Sequence, residues 1–263
     1  MSRRLGQHFL ASQSALDRIA DAACPNHPES KTPLLVEIGP GRGALTSCLI
    51  ARAERVIALE VDPVLVHYLR QKFREDIESG RLTLVEADVL QTDLSQWGPA
   101  VVAGNLPYYI TSPILERVFA PPATWTRAVF LVQSEVAHRM AAGPGNRDFG
   151  YLSVLAQVHA RVEVLFEVSR TAFRPPPKVE SAVVRLEPRD AAADFGIADV
   201  PEFLRFASAC FRHKRKTLKN NLLAAYGPEA AKGLPDPRVR AEQLGVKELA
   251  DVARLCGLLG HRL

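Results

Sequence analysis

Four mostly apolar runs, residues 34–38, 55–60, 82–88 and 100–104, follow one another with helical or turn-forming stretches between them. A helix over 112–119 and a fifth run, Ala128-Val129-Phe130-Leu131-Val132, continue the pattern. Strands without a polar face must be covered on both sides. Alternation with helices therefore predicts a parallel sheet wrapped by helices, an α/β architecture. Sheets of this kind place their ligands at the carboxyl ends of the strands, so the residues ending each run are the ones to read for function.

The first run leads into Glu37-Ile38-Gly39-Pro40-Gly41-Arg42-Gly43, a glycine-rich turn before a helix over 44–52. Gly39 and Gly41 let a ligand approach the backbone closely. The spacing matches neither a phosphate-cradling nucleotide loop nor the full dinucleotide pattern. Glu60 ends the second run, where a carboxylate can accept both hydroxyls of a ribose. Asp88 ends the third, where it can accept from an adenine amine. Each has an ordinary reading as well: a tight turn, a solvated strand end, a helix cap. Together they point to an adenosine ligand with a non-phosphate tail, S-adenosylmethionine, with NAD as runner-up.

After the fourth run comes Asn105-Leu106-Pro107-Tyr108. An Asn side-chain carbonyl and the Pro107 backbone carbonyl can accept both N–H groups of an exocyclic amine. Pro107 stiffens the turn, and Tyr108 offers a face for a flat ring. Taken alone, the tetrapeptide is also a common strand-to-loop turn.

The remainder fills in the frame. Ser14 can cap a short helix with Leu16, Ile19, Ala20 and Ala23 on one face, and Asp62-Pro63 reads as the start of a helix reaching about Glu75. Beyond 134 come a helix, a Gly- and Pro-rich loop over 143–150, a helix near 151–159 and strand-like runs over 161–168 and 181–187. After Pro188 only helical sequence remains. The expected division is a catalytic domain over 1–188, with a closing segment over 1–13, and a helical domain over 189–263. The chain of 263 residues, 47% hydrophobic and 24% charged, has the composition of a globular protein and no apolar run long enough for a bilayer. The start is basic but lacks a signal-peptide core. Cys24, Cys48, Cys210 and Cys256 are widely spaced, which argues against a metal or redox site and for a cytoplasmic location.

Six motifs occur in order: Gly6-Gln7-His8-Phe9-Leu10, Glu37 to Gly41, Asn105 to Tyr108, Val132 to Arg139, Phe173-Arg174-Pro175-Pro176-Pro177-Lys178-Val179-Glu180-Ser181-Ala182-Val183, and Arg215-Lys216-Thr217-Leu218-Lys219-Asn220-Asn221-Leu222. From about residue 3 to the C-terminus the chain resembles the small-subunit ribosomal RNA adenine dimethyltransferases. The resemblance implies a Rossmann-like class I S-adenosylmethionine-dependent methyltransferase fold with a smaller all-α C-terminal domain. It implies N6-dimethylation of two adjacent adenosines in the terminal hairpin of small-subunit rRNA, within an assembly intermediate. By carry-over, Gln7, His8, Leu10, Gly39, Gly41, Glu60, Asp88 and Asn105 would hold the cofactor. The family usually has Asn where His8 stands; a His there can donate or accept a hydrogen bond or contact a phosphate.

Adenine N6 is a weak nucleophile, because its lone pair is delocalised into the ring. Asn105 and Pro107 would grip it, and Tyr108 and Phe173 would sandwich the extruded base; the plainer role for Phe173 is to anchor the triproline loop. Arg212, Lys214, Arg215, Lys216 and Lys219 form an acid-free basic stretch, expected on a helix facing RNA phosphates, with Phe203, Phe206 and Phe211 on that helix's core face. Arg3, Arg4 and Arg147 would add to the field. The net charge of +4 permits such a partner, and nothing requires more than a monomer. The rivals are a large-subunit rRNA adenine methyltransferase of the resistance type, a non-catalytic RNA-binding assembly or transcription factor on the same fold, and a DNA adenine methyltransferase, for which no target-recognition module is visible.

Overall fold

The computed structural model describes residues 8–120, 124–232, 234 and 236–259. Arg3, Arg4 and Gln7 lie outside the described residues. In chain order the elements begin with β1 (Phe9–Leu10), α1 (Gln13–Ala23), β2 (Thr32–Ile38), α2 (Ala44–Arg52), β3 (Ala53–Glu60), α3 (Pro63–Lys72), α4 (Arg74–Glu78), β4 (Leu82–Glu86), β5 (Ala100–Asn105), α5 (Thr111–Phe119) and β6 (Trp125–Gln133). Then follow α6 (Ser134–Ala141), α7 (Tyr151–His159), β7 (Ala160–Val168), β8 (Phe173–Arg174) and β9 (Ser181–Pro188). The chain continues with α8 (Ala191–Phe195), α9 (Val200–Cys210), α10 (Leu218–Tyr226), α11 (Pro228–Lys232) and α12 (Val246–Leu255).

The seven-stranded sheet has the order β4-β3-β2-β5-β6-β9-β7. The pairs among β2 to β6 are parallel, as the alternation predicts, and β9 runs antiparallel to β6. An unbroken apolar run reports burial on both faces but not direction: Ala182, Val183, Val184 and Leu186 of β9 are as buried as any parallel strand. A separate two-stranded ribbon pairs β1 with β8, setting Leu10 opposite Phe173.

Local sequence explains the helix starts. The head of α1 is capped by Ser12 and not by Ser14, which lies inside the helix: the Ser12 hydroxyl accepts the Ala15 N–H, and Asp62 accepts the Val64 N–H ahead of Pro63 in α3. The helix expected to reach Glu75 instead ends at Lys72, and the buried Phe73 separates it from α4. On α1, Leu16, Ile19, Ala20 and Ala23 are buried with Leu35 and Leu49 in one cluster. Each large side chain so placed contributes about 1.5–3 kcal/mol.

The chain divides into two compact units, Met1–Ala137 with Glu163–Pro188, and His138–Val162 with Arg189–Leu263. One seam between the units falls between Pro188 and Arg189. Residues 138–162 belong with the C-terminal unit because Phe149, Val154 and Val158 share a core with Phe203, Phe206, Leu222 and Leu249. Beyond Pro188 the described elements are helical.

Candidate active site

A cavity in the first unit opens where β2, β3 and β5 end, lined by His8, Glu37, Gly39, Glu60, Asp88, Asn105 and Tyr108 among others. The glycine turn shapes it. Gly39 and Gly41 have φ of +69° and +58°, a region that L side chains avoid. A Cβ on Gly41 would also meet the Phe9 ring at 3.1 Å. Inside β5, a Cβ on Gly104 would stand 2.5 Å from the Ile38 carbonyl oxygen. That close approach sets Asn105 beside the turn.

Glu60 is buried rather than a solvated strand end. Its Oε2 accepts the Gly41 N–H at 3.1 Å, and its Oε1 accepts those of Val61 and Asp62 at 2.9 and 3.0 Å. Burial pushes its pKa up, and those three backbone donors pull it back. Asp88 is exposed on the cavity wall and caps a short 3-10 turn through Leu90 N–H at 2.9 Å, so its capping role and its place at the site coexist.

Asn105 Nδ2 donates to the His8 carbonyl at 3.2 Å, which orients the amide and leaves Oδ1 for an incoming donor. The Tyr108 hydroxyl is held at 2.5 Å from Ser181 Oγ. Leu10 lines the cavity and is itself buried in the core.

Two sequence expectations are corrected. The Pro107 carbonyl already accepts the Ile110 N–H at 3.1 Å and the Thr111 hydroxyl at 3.2 Å, so both its lone pairs are used. Phe173 is 0% exposed and is not part of the cavity wall. Pairing of β8 with β1 carries its ring into the apolar cluster containing Leu10 and Leu16, so it anchors rather than stacks.

One site residue went unread. Glu37 is 1% exposed, and its Oε2 has no hydrogen-bond partner. Burial pushes its pKa up to about 8; Glu60 pushes the same way, while Thr46 and Lys72 pull back. The available signal was a carboxylate inside the otherwise apolar run 34–38.

In the second unit, the basic stretch is corrected from a helix to a connection. α9 ends at Cys210, and Arg212, Lys214, Arg215 and Lys216 are exposed in the turn before α10, with Lys219 in its first turn. Lys214 Nζ donates to the Arg147 carbonyl at 2.6 Å, so the two basic loops meet. Phe203 and Phe206 are buried as expected, and Phe211 packs edge-on against Phe149.

Among the described residues no cluster of His, Cys, Asp and Glu is arranged to hold a metal, and no helix is long and apolar enough to cross a membrane.

"Ribosomal RNA small subunit methyltransferase A" of Acidobacterium capsulatum is 45% identical, covering 95% of this chain and 89% of that protein. Its counterpart of the same name from Xanthomonas oryzae pv. oryzae is 42% identical over 97% and 95%. A dimethyladenosine transferase from Plasmodium falciparum shares the fold, with a TM-score of 0.77 at 24% identity over 95% of this chain and 98% of that one. The 23S rRNA methyltransferase ErmE aligns with a TM-score of 0.68 at 26% identity over 95% and 99%. The Ribosomal RNA adenine dimethylase family matches over residues 1–255, and the chain belongs to that family.

Proposed function

We propose that this protein transfers methyl groups from S-adenosylmethionine to N6 of two adjacent adenosines in the 3'-terminal hairpin of small-subunit (16S) rRNA. It acts on an assembly intermediate in the cytoplasm, as a monomer. The fold is common to small- and large-subunit enzymes, so it does not choose between them. Relatives at 42–45% identity are named for the small subunit, and that favours the small-subunit substrate. Family membership together with the intact strand-end set argues against a binding factor that has lost its chemistry.

The observation carrying the reading is the Asn105 amide, clamped through Nδ2 so that its oxygen can accept an amine hydrogen beside the glycine turn. The residues fit the cofactor. The turn at Gly39 and Gly41 admits it against bare backbone, Asp88 would accept from its adenine amine, and Gln7 and Leu10 would close over it. Glu60 Oε1 already takes two N–H groups, so a ribose hydroxyl finds its acceptor at Oε2. The bound cofactor supplies a methyl group on a sulfonium, already activated for transfer.

The protein's own contribution is positioning. With the Pro107 oxygen occupied, Asn105 Oδ1 and the Leu106 carbonyl, one residue earlier, hold the two N6 hydrogens. The nitrogen turns toward tetrahedral geometry, which frees its lone pair. Tyr108 supports the ring, and the proton leaves to water after transfer. The loops bearing Arg147, Arg212, Lys214, Arg215, Lys216 and Lys219 meet rRNA phosphates.

The test is to incubate the protein with labelled S-adenosylmethionine and separated, unmethylated small and large subunits. Label in the small subunit as N6-dimethyladenosine is expected, and its loss in Asn105→Ala with RNA binding retained. Label in the large subunit alone, or near-normal turnover in the variant, would overturn the reading.

A further inference from the structure

A base drawn out of a helix loses stacking on both faces, so a pocket that receives it needs a surface on each side. Tyr108 provides one. Phe173 is fully buried in the core and provides none. His8 lies across from Tyr108 in the same cavity, with ring centroids 6.3 Å apart and planes inclined by 26°. Stacked bases repeat at about 3.4 Å. A base between two rings therefore spans about twice that, and the His8–Tyr108 separation is within about half an ångström of it.

Both rings are held from behind. His8 Nδ1 lies 2.9 Å from the Pro175 carbonyl oxygen and donates to it as the Nδ1–H tautomer, while its own carbonyl takes the Asn105 Nδ2–H at 3.2 Å. The Tyr108 hydroxyl is fixed 2.5 Å from Ser181 Oγ. Surfaces ordered in advance cost less entropy when a ligand arrives. The Asn105 amide that faces the amine also secures the wall that would face the ring. Two other aromatic side chains line the cavity: Tyr109, 62% exposed at the rim, which no comparable clamp aligns with Tyr108, and Phe9, whose ring lies against Gly41 and under Arg42 instead.

We propose that His8 is the second face of the adenine pocket, its imidazole and the Tyr108 ring clasping the target base between them. The proposal rests on the adenine-methylation reading and assigns to His8 a contact with the substrate base instead of the cofactor. The triproline loop then acts through the Pro175 carbonyl, which sets the imidazole plane.

The full chain is compared with H8N, which keeps a polar group but no ring, and H8F, which keeps a ring but no donor to Pro175. Matching melting curves establish that all three fold. Affinity for S-adenosylmethionine, by calorimetry, is expected to agree within about twofold across the set. With unmethylated small subunits, kcat/KM is expected to fall less in H8F, which keeps a face for the base, than in H8N. In H8N it should fall by about 5- to 150-fold, the range that loss of one stacking partner gives. A second arm is independent of turnover: a single-stranded RNA carrying one 2-aminopurine should be quenched by the parent and H8F and less by H8N.

Equal losses in H8N and H8F would assign the effect to the Pro175 hydrogen bond, and loss that tracks weakened cofactor binding would return His8 to the cofactor site. Either result, or equal quenching by the parent and H8N, overturns the proposal. A parent that leaves the small subunit unlabelled overturns the functional reading instead, and the quenching arm still decides the role of His8.

Discussion

Replacing Glu37 with Gln isolates the cost of holding a carboxyl group in the floor of the cavity. Burial, reinforced by Glu60, pushes its pKa in the folded state up to about 8 from the ordinary 4.5, more than Thr46 and Lys72 pull it back. The folded protein therefore keeps a proton that the unfolded chain releases. Stability is full below about pH 4.5 and falls as pH rises toward about 8. At about 1.36 kcal/mol per pH unit, the loss reaches about 3 kcal/mol by pH 7 and approaches about 5 kcal/mol above pH 8. Glu37→Gln has nearly the same shape and does not titrate. The difference in unfolding free energy, variant minus parent, should then grow with pH by about those amounts. Urea denaturation at a series of pH values measures it, and groups elsewhere cancel in the difference. Parallel stability curves for the two proteins would refute the reasoning, since they would mean that Glu37 is solvated or paired in the folded state.

Two further outcomes follow from the same geometry. Gly104→Ala should cost about 1–3 kcal/mol or more and also lower cofactor affinity, because its Cβ would press to 2.5 Å on the Ile38 backbone oxygen, which cannot move without shifting the turn; a variant that melts with the parent would contradict this. Charge reversal at Arg212, Lys214 and Arg215 should weaken binding to small subunits and flatten its dependence on salt, read by a titration at several salt concentrations; unchanged affinity throughout would show that the exposed turn before α10 does not meet phosphate.

The strand ends were legible because their signals are local. A strand that closes in a turn leaves its terminal side chain at the sheet's carboxyl edge, so Gly39, Glu60, Asp88 and Asn105 could be placed in one cleft from spacing alone. The parallel strands and the helix start at Asp62-Pro63 likewise rest on periodicity and capping within a few residues, whereas the first helix was placed two residues late, at Ser14 instead of Ser12. The basic cluster was legible as charge but not as shape, since α9 stops at Cys210 and the cations fall in a turn.

What the sequence determined by itself, then, was the chemistry gathered at one edge of an α/β sheet. Tertiary structure alone decided which groups remain available there. Pairing between β1 and β8, set by residues more than a hundred and sixty apart in the chain, buries Phe173 and brings His8 opposite Tyr108. The turn after β5 consumes the Pro107 oxygen, and packing around β2 strips water from Glu37. Burial and hydrogen-bond occupancy depend on what folds over a residue, and that is a property of distant contacts rather than of neighbours along the chain.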